Sequence, residues 1–403
     1  MEIYLDNSAT TACFPEVAEE VKNILIENYG NPSSAHHRGV EAEKQLRQAS
    51  GKLASLMRCK PEELIYTSGG TESDNMALLC AARAKKRSGN HLITTAIEHP
   101  AVLRTMEQLE SEGFDVTYLP VDKDGIVRMD ALEQAISGDT ILVSVMHTNN
   151  EIGSVQPIAA IGTMLKRKYP QLIFHVDAVQ AFGKQPLYPA ELGVDLLSAS
   201  AHKFHGPKGV GFLYVSEKVK LLPLIYGGGQ QRGLRSGTEN TAGIAGMAMA
   251  AEMLAGGMKE ERERLFELKS FFVNGLLKLE KVRINGIPGL YGAEDLSSAG
   301  TEACEAAIRQ TSPAVVSASF AGVRAEVLLH ALEEEGIYVS AGSACATHKP
   351  EPSRTLQAIG LGKELLEGTI RFSFSIFTTK EELEHTLEVL KKILPELRKY
   401  KGR

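Results

Sequence analysis

From about Leu64 to Val215, short apolar runs alternate with stretches of helical period. The runs "ELIYT", "HLITTA", "TILVSVM", "LIFHVD" and "VDLLSAS" are apolar on both faces, as strands buried inside a parallel sheet must be. Helical patterns lie between several of them, such as "PIAAIGTMLKRKY", with Pro157 at a first helical position. Strand and helix in alternation predict an α/β domain built on a mostly parallel sheet.

The C-terminal part has a different rhythm. In "GTIRFSFSIFTT", Ile370, Phe372, Phe374 and Ile376 share one face of a strand, and Arg371, Ser373 and Ser375 the other. A last helix spaces Leu383, Leu387, Leu390, Ile393 and Leu397 by threes and fours, behind a capping box from Thr379 to Glu382. The patterns predict a large domain over residues 14–260 and a smaller α+β domain made of residues 1–13 with 261–403. The run "AEDLSSAGTEACEAAIRQ", 293–310, predicts a surface insertion with a short helix.

Charge narrows the function classes. Fifty acidic against 44 basic side chains give a net charge of −6, which supplies no global attraction to nucleic acid or to an anionic membrane. The most apolar stretch, "TAGIAGMAMAAEMLAGGM" from Thr241, is mostly Ala and Gly and carries Glu252, so it predicts a packed interior helix rather than a membrane span. The N-terminal "MEIYLDNSATT" lacks the pattern of a signal peptide. Cys13, Cys59, Cys80, Cys304 and Cys345 are dispersed without a C-x-x-C pair, against both a disulfide framework and a structural zinc site. A reduced, cytoplasmic protein is expected, with no resident metal, no direct nucleic-acid partner and no membrane partner.

Three places in the large domain invite chemistry, and each has a plainer reading beside it. In "YTSGGTESDN", Gly69 and Gly70 join a strand to a helix beginning near Thr71; backbone N–H groups and the positive helix end suit a phosphate there, or the turn is an ordinary one. Asp177 ends the strand of "FHVDAVQ", with Gln180 three residues on; a carboxylate at a strand's carboxyl end either holds a cationic nitrogen or metal or caps the next helix. Lys203, in "SAHKFHGPKG", is either a lysine whose stem crosses an apolar edge or an amine that captures a carbonyl. Phosphate cradle, carboxylate and amine together are the three grips that pyridoxal phosphate needs, the carboxylate keeping the ring nitrogen protonated so that the ring withdraws electrons.

The sequence resembles the cysteine desulfurases, members of the class-V aminotransferase group with the type I pyridoxal-phosphate fold. The likeness runs nearly end to end: "YLDNSATT", "NYGNPSSAHHRG", "SGGTESDN", "EHPAV", "MHTNNEIG", "HVDAVQAFGK", "SAHKFHGPKG", "GGGQQRGLRSGTEN", "SAGSAC" and "IRFSFS" occur in the family's order. The resemblance implies that Lys203 holds the cofactor covalently, Asp177 faces its ring nitrogen and Gln180 donates to its ring hydroxyl. It implies that His99 stacks on the ring as an acid–base group, and that Gly70, Thr71, Ser200 and His202 grip the phosphate. Asn150 would lie near the ring hydroxyl and the substrate carboxylate. Thr238 would reach the phosphate from a neighbouring subunit, which implies a homodimer.

The smaller domain decides which member of the group this is. "GIYVSAGSACATHKPEPS" presents Cys345 in a polar loop, where His348 and Lys349 favour a thiolate if they face it. By itself the loop leaves Cys345 between an inert and a reactive thiol; the resemblance implies the persulfide-forming cysteine. Arg371 is suited to a bidentate carboxylate and would take the substrate's, an ordinary ion pair with Asp or Glu being the alternative. The implied activity converts L-cysteine to L-alanine and passes the sulfur from Cys345 to an acceptor such as an iron–sulfur scaffold or a tRNA-thiolation enzyme. Selenocysteine lyase and class-V aminotransferase chemistry stand as alternatives on the same fold, as does a scaffold without activity. Whether Cys345 transiently ligates a cluster iron stays open. Gln231 departs from the family pattern, which has a charged residue there.

Overall fold

A computed structural model describes residues 2–341 and 352–399, excluding the side chains of 296–299 and 301. The first strand, β1 (Ile3–Tyr4), is followed by helices α1 (Pro15–Ile26) and α2 (His37–Met57). The large sheet then forms from β2 (Leu64–Thr67), β3 (His91–Thr95), β4 (Asp115–Leu119), β5 (Thr140–Ser144), β6 (Ile173–Asp177), β7 (Leu196–Ser200) and β8 (Gly211–Val215). Their spatial order is β2-β8-β7-β6-β5-β3-β4, parallel throughout except for β8, which runs antiparallel to both neighbours. The five apolar runs picked out by pattern are five of these strands. Because β8 reverses twice over, β2 ends at the same edge of the sheet as β6 and β7. That edge is the crevice side, where open α/β sheets bind ligands.

Both faces of the sheet are covered, which is why its strands read as unbroken apolar runs. Helices α3 (Gly70–Lys85) and α4 (Pro100–Ser111) pack on one face, through Met76, Cys80, Val102 and Met106. On the other lie α1, α2, α5 (Met129–Ala135), α6 (Ile158–Lys168) and α7 (Thr241–Ala255), around Phe174, Phe204 and Phe212. The Ala/Gly-rich helix α7 is interior as expected: Gly246 lies so close to α1 that an added Cβ would meet Val21 Cγ2 at 2.6 Å. No helix among the described residues is long and apolar enough to cross a membrane.

A second core surrounds a four-stranded antiparallel sheet of β9 (Val282–Asn285), β10 (Val315–Phe320), β12 (Ser340–Ala341) and β13 (Thr369–Ser373), ordered β12-β13-β10-β9. Phe320 and Phe372, Phe372 and Phe272, and Phe272 and Phe374 meet edge to face beneath α8 (Met258–Leu276) and the C-terminal helix Lys380–Lys399. That helix opens on the expected reciprocal cap between Thr379 and Glu382. The N-terminus joins this core, since β1 pairs in parallel with β11 (Ile337–Tyr338) and buries Ile3 and Leu5.

Three local expectations need correction. The run 293–310 holds more than a short helix. A 17-residue helical span, α9 (Ala293–Arg309), breaks at Gly300 (φ 75°) and buries Cys304 and Ile308 in the second core. Pro157 is the N-cap of α6, not its first residue, because its ψ of 56° is not helical. Ile376 also leaves the strand face: β13 stops at Ser373, a turn closes with the Ser375 N–H donating to Thr378 Oγ1, and Ile376 packs against the first core.

Candidate active site

The turn after β2 forms the expected cradle. Gly69 has φ 150°, and a Cβ on Gly70 would stand 2.7 Å from Val179 Cγ2, so a side chain at 70 would close the turn. No side chain caps α3, which leaves its first N–H groups for a ligand at the positive helix end. Glu72 is drawn aside, accepting from Ser68 N–H at 2.7 Å and pairing with Arg235 at 2.7 Å. Thr71 is exposed at the turn, and the Ser200 hydroxyl borders Gly69. His202 Nδ1 lies 3.2 Å from Thr10 Oγ1, and burial lowers its pKa to about 4, so it is neutral. Thr238 lines a cavity of about 180 Å³ with Thr67, Ser68, Gln231 and Arg235 of the same chain. Gln231, the departure from pattern, supports the sheet edge, since its Oε1 accepts the N–H of Tyr66 on edge strand β2 at 2.9 Å.

Three strands over, Asp177 ends β6. It is 5% exposed, and its Oδ1 accepts the Val179 N–H at 2.9 Å. Burial first, and then the nearby Asp74 carboxylate, push its pKa up to about 7. His99 caps α4, its Nδ1 accepting the Ala101 N–H at 3.1 Å, which leaves the ring proton on Nε2. Burial lowers the pKa of His99, Asp177 opposes that shift, and the Lys203 charge adds to it, so these three groups share one electrostatic neighbourhood.

Lys203 follows β7 in a single turn, Ala201–Lys203, and its Nζ donates to the carbonyl oxygens of Ser8 (2.6 Å) and Ala9 (2.8 Å). Gln180 Nε2 donates to the same Ser8 oxygen at 2.9 Å. Arg371, on β13, donates through Nη1 to the carbonyl of Asn150 (3.0 Å) and pairs through Nη2 with Asp6 (2.6 Å). The ordinary ion pair left open by the sequence therefore exists. The Arg371 Nε, by contrast, is buried without an acceptor among the described residues. Cys345 lies outside the described residues, with His348 and Lys349.

Several participants escaped the sequence reading. The strap Asp6–Thr11 touches Arg371, Lys203, Gln180 and His202 in turn, although "YLDNSATT" was noticed only as a motif. Lys184, inside "HVDAVQAFGK", donates to Gln180 Oε1 at 3.2 Å; burial first, then Lys203 and Arg371, lower its pKa to about 7. It is the group that feels both the amine and the guanidinium. Asp74, Glu98 and His175 lie buried behind Asp177, and an alternating strand pattern gave no sign of the two acids.

The residues fit pyridoxal phosphate by their own chemistry. A capless helix end follows a glycine turn where a Cβ at 70 would meet Val179, an amine and a buried carboxylate share the neighbourhood of His99, and Asp177 Oδ2 accepts no hydrogen bond from the described residues. Comparison with known proteins agrees. The class-V aminotransferase family profile matches residues 3–386. The chain is 45% identical over 398 residues to cysteine desulfurase IscS of Dictyoglomus turgidum, covering 98% of this chain and 95% of that one. It is 43% identical to cysteine desulfurase IscS of Escherichia coli strain HS, covering 99% and 94%. A solved NifS-like protein superposes with a TM-score of 0.89 at 39% identity, over 98% of this chain and all of that one.

Proposed function

The chain belongs to the class-V aminotransferases and is a pyridoxal-phosphate-dependent cysteine desulfurase; from that premise we propose how its own residues divide the work. The cofactor, when bound, supplies an aldehyde to capture amines and a ring that withdraws electrons from the substrate's α-carbon. Gly70, Thr71, Ser200 and His202 hold its phosphate, with Thr238 of a second copy. Asp177 would hold a proton at the ring nitrogen, Gln180 and Asn150 would serve the ring hydroxyl, and His99 would hold the ring. We assign this machinery to the domain of residues 14–260, and the sulfur chemistry to residues 1–13 with 261–403.

Arg371 binds the carboxylate of L-cysteine, and its unpaired Nε supports that role. Asp6 and the Asn150 carbonyl fix the guanidinium so that little rotamer entropy remains to be lost. Lys203, positioned by the Ser8 and Ala9 carbonyls, would hold the cofactor's aldehyde and carry the α-proton. Cys345, as thiolate, attacks the substrate sulfur: an S–S bond forms, the substrate's Cβ–S bond breaks, and a proton replaces sulfur on the product, L-alanine. The persulfide then passes to an acceptor, an iron–sulfur scaffold or a tRNA-thiolation enzyme. A homodimer is supported by the exposed apolar residues Leu25, Ile26, Tyr29, Val40 and Tyr226.

The observation that supports this reading most is the electrostatic contact of Asp177, His99 and Lys203 at the carboxyl edge of the sheet, with Lys184 linking that group to Arg371. The test is mass spectrometry after incubation with L-cysteine. One added sulfur on the Cys345 peptide is expected, and a C345A variant that keeps full turnover refutes the scheme.

A further inference from the structure

We infer that Asp74 and His175 are positioning residues, a buried pair joined through Ser198 that sets the charge Asp177 presents to the ring nitrogen. The inference rests on the reading of Asp177 given above. Alternation along β6 places Ile173, His175 and Asp177 on the face toward α3, since Phe174 and Val176 enter the opposite core. Asp74 lies three residues after Thr71 on α3 and turns inward to the same place. Phosphate grip and buried acid thus share one helix.

The contacts are closed to water. His175 and Asp74 are 0% and 1% exposed, and Asp74 Oδ1 lies 3.5 Å from His175 Nε2 with no hydrogen-bond partner of its own. His175 Nε2 is 3.1 Å from Ser198 Oγ, and Nδ1 is 2.8 Å from Ser144 Oγ. The Asp74 carboxyl also takes the Ser198 hydroxyl. A chain Asp74–Ser198–His175–Ser144 results, in which both hydroxyls can turn, so a proton can rest on either end group. An unpartnered buried carboxylate oxygen costs about 1–3 kcal/mol, which no hydrogen bond from the described residues offsets at Asp74 Oδ1. Packing therefore does not explain the acid; a charge acting on Asp177 does.

The surroundings allow only a few charges. Asp74 is pushed up to about 7 by burial, as Asp177 is. Glu98, after β3, accepts from Thr95 Oγ1 and the Met146 N–H, and burial pushes it up to about 8, which leaves it neutral at pH 7. His99 is held neutral, and His175 is lowered to about 4 by burial. Lys203 supplies the positive charge on the crevice side. Two close carboxyl groups in such a place cannot both ionise freely and share protons as a pair. While Asp74 is ionised its charge raises the Asp177 pKa, so the proton the pair shares is drawn toward Asp177 and away from the charge that faces the ring nitrogen.

The experiment measures pyridoxal phosphate binding to apo protein by equilibrium dialysis from pH 5.5 to 8.5, in the parent, D74N, H175Q and D177N. The acid-side midpoint of binding is expected to fall by about one pH unit in D74N, a tenfold change in proton affinity, because a like charge has gone. It is expected to rise in H175Q, because the imidazole that lowers the Asp177 pKa has gone. D177N should lose the midpoint and bind weakly throughout. Unmoved midpoints in D74N and H175Q, with D177N behaving as described, overturn the inference and leave Asp177 its role. A D177N variant that binds like the parent at every pH overturns both. If H175Q fails to fold, the ¹⁵N imidazole spectrum of apo D74N decides: His175 should titrate at lower pH than in the parent, and an unmoved resonance overturns the pair.

Discussion

Replacing Asp177 with Asn should stabilise the apo protein while disabling the holoenzyme. The carboxyl is buried, and its pKa is displaced from 3.8 to about 7 by burial and by Asp74. An acid whose folded pKa lies above its unfolded value binds more protons when folded, so stability falls as pH rises through that window. At about 1.4 kcal/mol per unit, the native apo protein at pH 8 carries a penalty on the order of 4 kcal/mol, shared with its coupled neighbours. Asn keeps the acceptor for the Val179 N–H but places an amide NH₂ where Oδ2 was, a group that costs about 1–3 kcal/mol if left unpaired. The net gain expected at pH 8 is about 2 kcal/mol, turning into a net loss of about 1–2 kcal/mol near pH 4, where the folded carboxyl is protonated and only about 0.6 kcal/mol of the penalty remains. Urea unfolding of the apo proteins followed by far-UV circular dichroism at the two pH values measures it; the chain has no Trp to serve as a probe. Equal gains at both pH values, or none at pH 8, would show that the buried charge is not under tension and refute the reasoning.

Other perturbations follow from the same geometry. G70A puts a methyl 2.7 Å from Val179 Cγ2, and cofactor affinity should drop about tenfold or more as the turn is forced open, measured by dialysis against the parent. R371K cannot serve Asn150, Asp6 and a carboxylate with one ammonium; KM for L-cysteine should rise about 10- to 100-fold with a smaller change in kcat, and an unchanged KM would remove Arg371 from substrate binding. Lys269 is fully buried in the second core, donating to Thr311 Oγ1 (2.6 Å) and the Ser312 carbonyl (2.7 Å), and burial lowers its pKa to about 7. Below its unfolded value of 10.5 the unfolded chain binds the extra proton, so stability should climb from pH 7 toward 10; K269M should flatten that climb in pH-dependent unfolding.

Much of the architecture was legible because it is local. Two-sided apolar runs betrayed β2, β3, β5, β6 and β7, while β4 went unread: it forms the edge of the sheet, and Asp115 to Tyr118 are exposed or half-buried. Helix α9 is longer than its pattern suggested because Gly300 interrupts its period, and Cys304 and Ile308 are its buried residues among those described.

The chemistry divides along the same line. The types of group that reach the crevice were settled by residue order alone: a glycine turn before a helix, an acid at a strand end, an amine after the next strand. Each depends on its own strand and turn, which neighbours in the chain dictate. What those groups feel was decided only in three dimensions. Asp6 and Arg371 are 365 residues apart, and Asp74 and His175 about a hundred, yet the fold brings the first two together as an ion pair and shuts the second two away from water. Coulomb energy depends on distance through space and on local dielectric, and neither is written in the order of residues.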